Sequence, residues 1–192
     1  MPEPEDSDAA LLARYGAGDV GAAQILSKRL VPAVMAFAAR TLGDRAEAED
    51  VAQETMLRLW RMAPNWQSGE ATVKTWVYRV ASNLCTDRLR KRGRVTVSDP
   101  TDFDQMRDET EGGQERLERI ERATALQNAL ESLPPRQSQA VILRHIEGLS
   151  NPEIAQIMEI GVEAVESLTA RGKRALAERL LPQAAKLGLD NG

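Results

Sequence analysis

Apolar residues recur along most of this chain at spacings of three and four, and strict alternation is nearly absent. That period puts the apolar positions on one face of a helix and leaves few strand signals. The expected class is therefore all-α. Asp19 can cap a long apolar helix that ends near Gly43 and holds Pro32 as a candidate kink. Asp44 can cap the next, RAEAEDVAQETMLRLWRM, which stops before Pro64. A third runs from about Thr72 to Lys91, with Val73, Trp76, Val77, Val80 and Leu84 on one buried stripe. Farther on, Pro134 and Pro135 suit the first turn of RQSQAVILRHIEG, with Gly148 as its stop. Ser150 then caps the short segment NPEIAQIM, and after EIG a last helix continues to about Leu181. No repeat of fixed period is present.

Between Arg94 and Ile120 the sequence VTVSDPTDFDQMRDETEGGQERLER is polar, acidic and broken by Pro100 and Gly112-Gly113. It reads as a flexible linker, helical only after about Gln114. The expected organisation is an N-terminal domain over 1–94, a linker over 95–118 and a C-terminal domain over 119–192.

Charge changes the picture once it is located. The net charge is -4, but residues 1–8 contribute -4 and residues 99–121 contribute -6. Residues 9–98 carry a surplus of +6, and residues 122–192 balance at zero. The acidity thus belongs to segments expected to lie outside the folded cores, and the overall sign says little about partners. Cys85 and His145 are the only residues of their kinds, so no disulfide within the chain and no zinc site are expected. No metal or cofactor is implied. No run approaches 18 apolar residues and the start MPEPEDSD is unlike a signal peptide, so a bacterial cytoplasm is the expected compartment. Cys85 reads as a small packing residue, with a redox role as the alternative.

On the second helix, Asp50, Gln53, Glu54 and Leu57 form a polar-acidic stripe opposite Ala48, Ala52, Thr55 and Leu59. A solvated face and a docking face for a basic helix both fit that pattern. On the third, Arg79, Asn83, Thr86 and Arg90 line up, and RLRKRGR follows. From Arg79 to Arg94 there are six bases and one acid. Arginines can grip phosphates, while Asn and Thr can reach base edges. Trp60, Trp66, Trp76 and Tyr78 lie close in sequence, and unstacked bases can stack on such rings. Trp76 is a candidate both for the core and for that surface. In the C-terminal half, two helices joined by a short turn, the second ending basic, outline a helix-turn-helix. Ile154, Ala155, Met158, Ile160, Val165 and Leu168 supply its small core.

Taken together, three segments in order resemble the bacterial RNA polymerase sigma factors of the extracytoplasmic-function group of the sigma-70 family. AEAEDVAQETMLRLWR is similar to that family's core-polymerase-binding helix. TWVYRVASNLCTDRLRKR is similar to the helix that melts and reads the minus-ten promoter element. LPPRQSQAVILRHIEGLSNPEIAQIMEIGVEAVESLTARGKRAL is similar to its minus-thirty-five domain. The resemblance covers about residues 8–94 and 120–181.

What it implies is specific. Asp50, Gln53, Glu54 and Leu57 would contact the coiled coil of the polymerase clamp. Asn83 falls near a flipped-out promoter base, and the Met62–Val73 loop corresponds to the loop that pockets it. Arg79, Arg88, Arg90 and Arg92 would meet the backbone of the opened strand, with Trp76 beside them. In the last helix Ser167, Arg171 and Lys173 match positions that touch the minus-thirty-five duplex. Departures from the family pattern fall at Glu166, Leu168 and Ala170. Glu166 either accepts a hydrogen bond from cytosine N4 or is a solvated bystander. The resemblance also implies three partners: core polymerase, promoter DNA as duplex and opened strand, and an anti-sigma factor, often membrane-bound, that would hold the protein at the inner membrane without inserting it. No catalytic activity of its own is expected. The competing reading is a stand-alone helix-turn-helix regulator with an N-terminal sensor domain.

Overall fold

In a computed structural model, residues 7–67, 71–93 and 113–183 are described, and every regular element among them is helical. The expected linker up to residue 112, the first six residues, Arg94 and Lys186 fall outside the described residues.

The expected helices form, and the caps expected at Asp19 and Asp44 are in place. Asp19 accepts from Ala22 N at the start of α2 (Val20–Leu42), and Asp44 accepts from Glu47 N at the start of α3 (Arg45–Met62). Thr72 does the same for α4 (Val73–Arg92). Each bond satisfies one backbone N–H that a helix start leaves open. Pro32 lies within α2 without ending it. Gly43 closes α2 with φ 64°, a left-handed turn that favours glycine.

One helix escaped the sequence reading. α1 (Asp8–Gly16) is only nine residues long, capped by Ser7, and would not hold alone. Packing makes it: Leu11 and Leu12 are fully buried, and the Tyr15 ring meets Trp60 edge-on with centroids 4.8 Å apart. α2 forms the spine of the N-terminal half and packs against α1, α3 and α4. By length and composition α2 could also cross a bilayer. Here its apolar positions at spacings of four, Ala22, Leu26, Leu30 and Val34, are buried in the protein.

In the C-terminal half, α5 (Gly113–Glu131) leads to α6 (Pro135–Val141). The helix expected to run unbroken to Gly148 instead widens into a π-turn over Ile142–Ile146, with Glu147 N bonded back to Ile142 O. α7 (Asn151–Met158) carries a full capping box, in which Ser150 and Glu153 each satisfy the other's backbone N–H. A three-residue turn leads to α8 (Val162–Leu180). Ile154, Ile157, Met158 and Val165 are buried between them, so Ile157 joins the expected core, while Ala155, Ile160 and Leu168 sit at its edge.

Glu159 in that turn is the one non-glycine residue with positive φ among the described residues, at 54°. Glu159→Gly is expected to stabilise the protein by about 0.5–1 kcal/mol, the relief of left-handed strain less the entropy glycine loses. The measurement is the urea midpoint; a lower midpoint would mean that the Glu159 side chain contributes more than its backbone strain removes.

The two halves do not stand apart. α4 packs against α7 and α6, and α2 packs against α5 and the π-turn. Apolar side chains of both halves join in one continuous core.

Candidate nucleic-acid interface

α4 is packed on two sides, and this moves its buried stripe. Val73, Thr75, Val77, Tyr78, Ala81, Ser82 and Cys85 are buried, whereas Trp76, Val80 and Leu84 are only half-buried. The expected stripe was therefore turned by about one residue. The cause is the C-terminal half, which covers Tyr78 and Ser82. Tyr78 is accordingly unavailable for base stacking: its ring lies edge-on to Phe37 and its hydroxyl donates to Glu147. Burial first, and that bond second, push its phenol well above the ordinary range. Cys85 is fully buried, and burial pushes its thiol up to about 12, which suits packing and not redox chemistry.

The remaining surface of α4 divides the candidate DNA residues. Asn83 is exposed, and Arg90 is exposed with its guanidinium 2.9 Å from Asp87. Arg79 and Trp76 line a cleft of about 460 Å³ together with Met62, Asn65 and Trp66. The Trp66 indole Nε1 is buried, with no hydrogen-bond partner among the described residues. The cleft is thus flanked by an arginine and two large rings, and Gln156 of α7 also lines it. Arg88 and Arg92 turn the other way, toward the start of α3. Arg92 lies 3.0 Å from Glu47 and 3.5 Å from Asp44, and donates to Leu42 O at 2.7 Å. Arg88 lies 3.8 Å from both Glu47 and Asp50. These two arginines tie the end of α4 to the α2–α3 junction.

On α3, Asp50, Gln53 and Leu57 are exposed, and Glu54 is half-buried with Arg58 Nε 2.7 Å away. Leu57 is 44% exposed. It edges an apolar trough of about 330 Å³ between α2 and α3, floored by Val31, Met35, Met56 and Trp60. The polar stripe was legible from sequence; the trough was not, because its walls come from two helices.

On α8, Val165, Thr169 and Gly172 face inward. Glu166, Ala170, Arg171, Lys173 and Arg174 are exposed, and Ser167 is half-buried. Arg174 belongs to this face and was not among the expected contacts, although its spacing of four from Ala170 could have shown it. Glu166 points outward, its carboxylate accepting a long 3.4 Å bond from Asn151.

Residues 26–95 match the Sigma-70 region 2 family, and residues 123–176 match the Sigma-70 region 4 family. The chain is similar to the RNA polymerase sigma-H factor of Pseudomonas aeruginosa, with 30% identity over 93% of this chain and 96% of that one. It is 32% identical to the ECF RNA polymerase sigma factor SigM of Mycobacterium tuberculosis, over 92% of this chain and 86% of the relative. With SigE of Mycolicibacterium smegmatis it shares 36% identity over 77% of this chain, which spans 57% of that longer protein. Among solved structures, the fold is like that of CnrH in its complex with the cytosolic domain of CnrY (TM-score 0.66, 24% identity, 97% of this chain and 100% of that one). It is also like RpoE of Bartonella quintana bound to NepR (TM-score 0.64, 23% identity, 80% and 93%). With both region families matched in chain order and relatives of 30% identity or more along most of its length, this protein belongs to the extracytoplasmic-function group of the sigma-70 family.

Proposed function

We propose that the protein is an alternative sigma factor: a dissociable subunit that binds core RNA polymerase and directs it to particular promoters. The observation that carries this is the pairing, on one small helical half, of two unlike surfaces. α3 offers an apolar trough edged by Leu57 and flanked by Asp50, Gln53 and Glu54. α4 offers a cleft beside Trp76 and Arg79, with Asn83 and Arg90 exposed along it. A sensor domain needs an enclosed ligand cavity; a promoter-opening subunit needs one protein-docking face and one nucleic-acid face.

In this reading residues 1–94 bind polymerase and the minus-ten element, 95–118 connect, and 119–192 read the minus-thirty-five duplex. Trp66 and Trp76 offer ring surface to a base held in the cleft. Arg79 and Arg90 meet the opened strand, and Arg88 and Arg92 act chiefly by fixing α4. Ser167, Arg171, Lys173 and Arg174 approach the duplex, with Glu166 among them. The protein has no chemistry of its own, since polymerase performs the synthesis. Regulation by an anti-sigma factor fits the relatives, because the Bartonella protein was solved bound to one.

Core polymerase plus this protein is expected to start transcription at a specific promoter, and neither alone to do so. Tight binding to duplex DNA without polymerase, and no initiation with it, would instead mark a stand-alone regulator. Asn83→Ala is expected to lower promoter opening roughly 10- to 100-fold, the worth of a good base contact, with polymerase affinity unchanged. Run-off transcription and a binding titration separate the two effects. Loss of both in parallel would remove the case for base reading.

A further inference from the structure

Two acids stand near the start of α8, and only one of them is explained by the helix itself. Glu163 lies in the first turn, where open backbone N–H groups and the helix dipole favour a negative charge. Glu166 lies a turn farther in, where that effect has largely faded. Its neighbours at spacings of three and four are Val162, Glu163, Thr169 and Ala170. None is a cation, and one of them repels it.

What holds Glu166 comes from the other helix of the pair. Asn151 opens α7, where the capping box of Ser150 and Glu153 fixes the backbone. Its Oδ1 is buried, and its Nδ2 donates to Glu166 Oε1 at 3.4 Å. A bond that long and exposed stabilises little. Its effect is on direction, since it ties the carboxylate of α8 to the start of α7. A carboxylate has about four acceptor sites and no donor, so most of its capacity is left over.

In a helix-turn-helix the start of the second helix enters the major groove and meets base edges. Over the first turns of α8, Val162 and Ala164 are apolar, Val165 and Thr169 face inward, and Ser167 and Ala170 are short. The long polar groups offered to a groove there are the two carboxylates, and the cations Arg171, Lys173 and Arg174 come later. A carboxylate can only accept. In the major groove guanine shows two acceptors, thymine shows one, and adenine sets N7 beside its donor. Cytosine alone shows a donor and no acceptor of its own.

We propose that Glu166, oriented by Asn151, selects cytosine at one position of the minus-thirty-five element, chiefly by rejecting the other three bases. This rests on the reading of α8 as the duplex-binding helix. A fixed acid lowers affinity for DNA at large, because it carries negative charge toward phosphates, and adds discrimination by repelling acceptor-bearing edges.

The test selects promoters from a duplex library randomised across the minus-thirty-five element, using core polymerase loaded with each form of the protein. Wild type is expected to enrich cytosine at one position roughly 5- to 20-fold over the other bases. Glu166→Ala should flatten that position and bind the other three bases more tightly than wild type does. Glu166→Gln keeps the side-chain shape and should move the preference to adenine, whose N6 and N7 suit an amide. Asn151→Ala should weaken the cytosine preference about threefold, and should change nothing in the Glu166→Ala background. Glu166 is exposed, so equal urea midpoints are expected for its variants. A cytosine preference that survives Glu166→Ala would overturn the proposal. So would a gain in affinity that is uniform over all sequences, the mark of a bystander charge. Asn151→Ala with the preference at full strength would overturn the orienting role. If polymerase and protein together enrich no sequence, the sigma-factor reading fails, and the same library offered to the protein alone then decides for Glu166. There a cytosine lost in Glu166→Ala would uphold the proposal, and no base preference would overturn it.

Discussion

Gly172→Val is expected to destabilise the C-terminal half by about 3 kcal/mol or more and to abolish promoter-directed transcription. Gly172 is buried where α8 crosses α6. A β-carbon there would lie 2.5 Å from Val141 Cγ2 and 3.3 Å from the Gln137 carbonyl oxygen. Val141 is itself 3% exposed and has no open side toward which to move. Glycine inside a helix ordinarily costs about 1 kcal/mol against alanine, so an unconstrained Gly→Ala change would stabilise. At this position even Gly172→Ala should lose that gain, and the branched valine forces the helices apart. α8 would then no longer present Arg171, Lys173 and Arg174 at a fixed angle. Gly161 is the control, because a β-carbon there meets nothing within 4 Å and α8 lacks a side-chain cap. Gly161→Ser should hold or raise the urea midpoint. A wild-type midpoint for Gly172→Val would show that the crossing yields without strain.

Gly172 also illustrates what sequence could and could not say. Within ARGKRAL it looks like a weak point in a helix, and its use appears only with the helix that crosses it. Elements whose signals are local were legible: the caps Asp19, Asp44 and Ser150 all stand where they were expected. α1 was not, because nine residues carry too little periodicity and its stability comes from Leu11, Leu12 and Tyr15 meeting other helices. The stripe on α4 was turned for a related reason. A period of 3.6 locates one apolar face, but Ser82 and Thr75 are buried by a second partner that the pattern cannot announce. For the site, residue types were readable and directions were not. Six positive side chains follow Arg79 inclusive, yet Arg88 and Arg92 reach back to acids at the start of α3. Whether an arginine points at DNA or at Glu47 is a tertiary fact.

The same distinction settles what the acids on α8 tell us. Glu163 and Glu166 are exposed, and neither is engaged in an ion pair among the described residues. Arg171, Lys173 and Arg174 follow within two turns, so the helix grades from acidic to basic toward its C-terminus. That order favours the helix dipole and stabilises α8 before any DNA is present. An acidic N-terminal turn is thus compatible with a recognition helix whose grip comes from its second half and from a polymerase that holds the other domain.

Leu57→Arg is expected to weaken binding to core polymerase by about 100-fold or more while leaving the urea midpoint of the free protein unchanged. Leu57 is 44% exposed, so the fold does not depend on it, and arginine on that surface stays solvated in the free state. In the complex the same position borders the trough over Met56 and Trp60. An apolar partner side chain seated there would bury the guanidinium without a counter-charge, the most costly change an interface centre can suffer. Asp50→Ala supplies the contrast. The Asp50 side chain is 70% exposed, and a rim charge of that kind shifts the association rate and its salt dependence more than affinity, by less than about tenfold. If Leu57→Arg bound polymerase within threefold of wild type, α3 would not be the docking helix and the trough would have another use. If Asp50→Ala lost as much as Leu57→Arg, the acidic stripe would carry the affinity in place of the apolar trough. The ratio of the two effects therefore decides which part of α3 holds the polymerase.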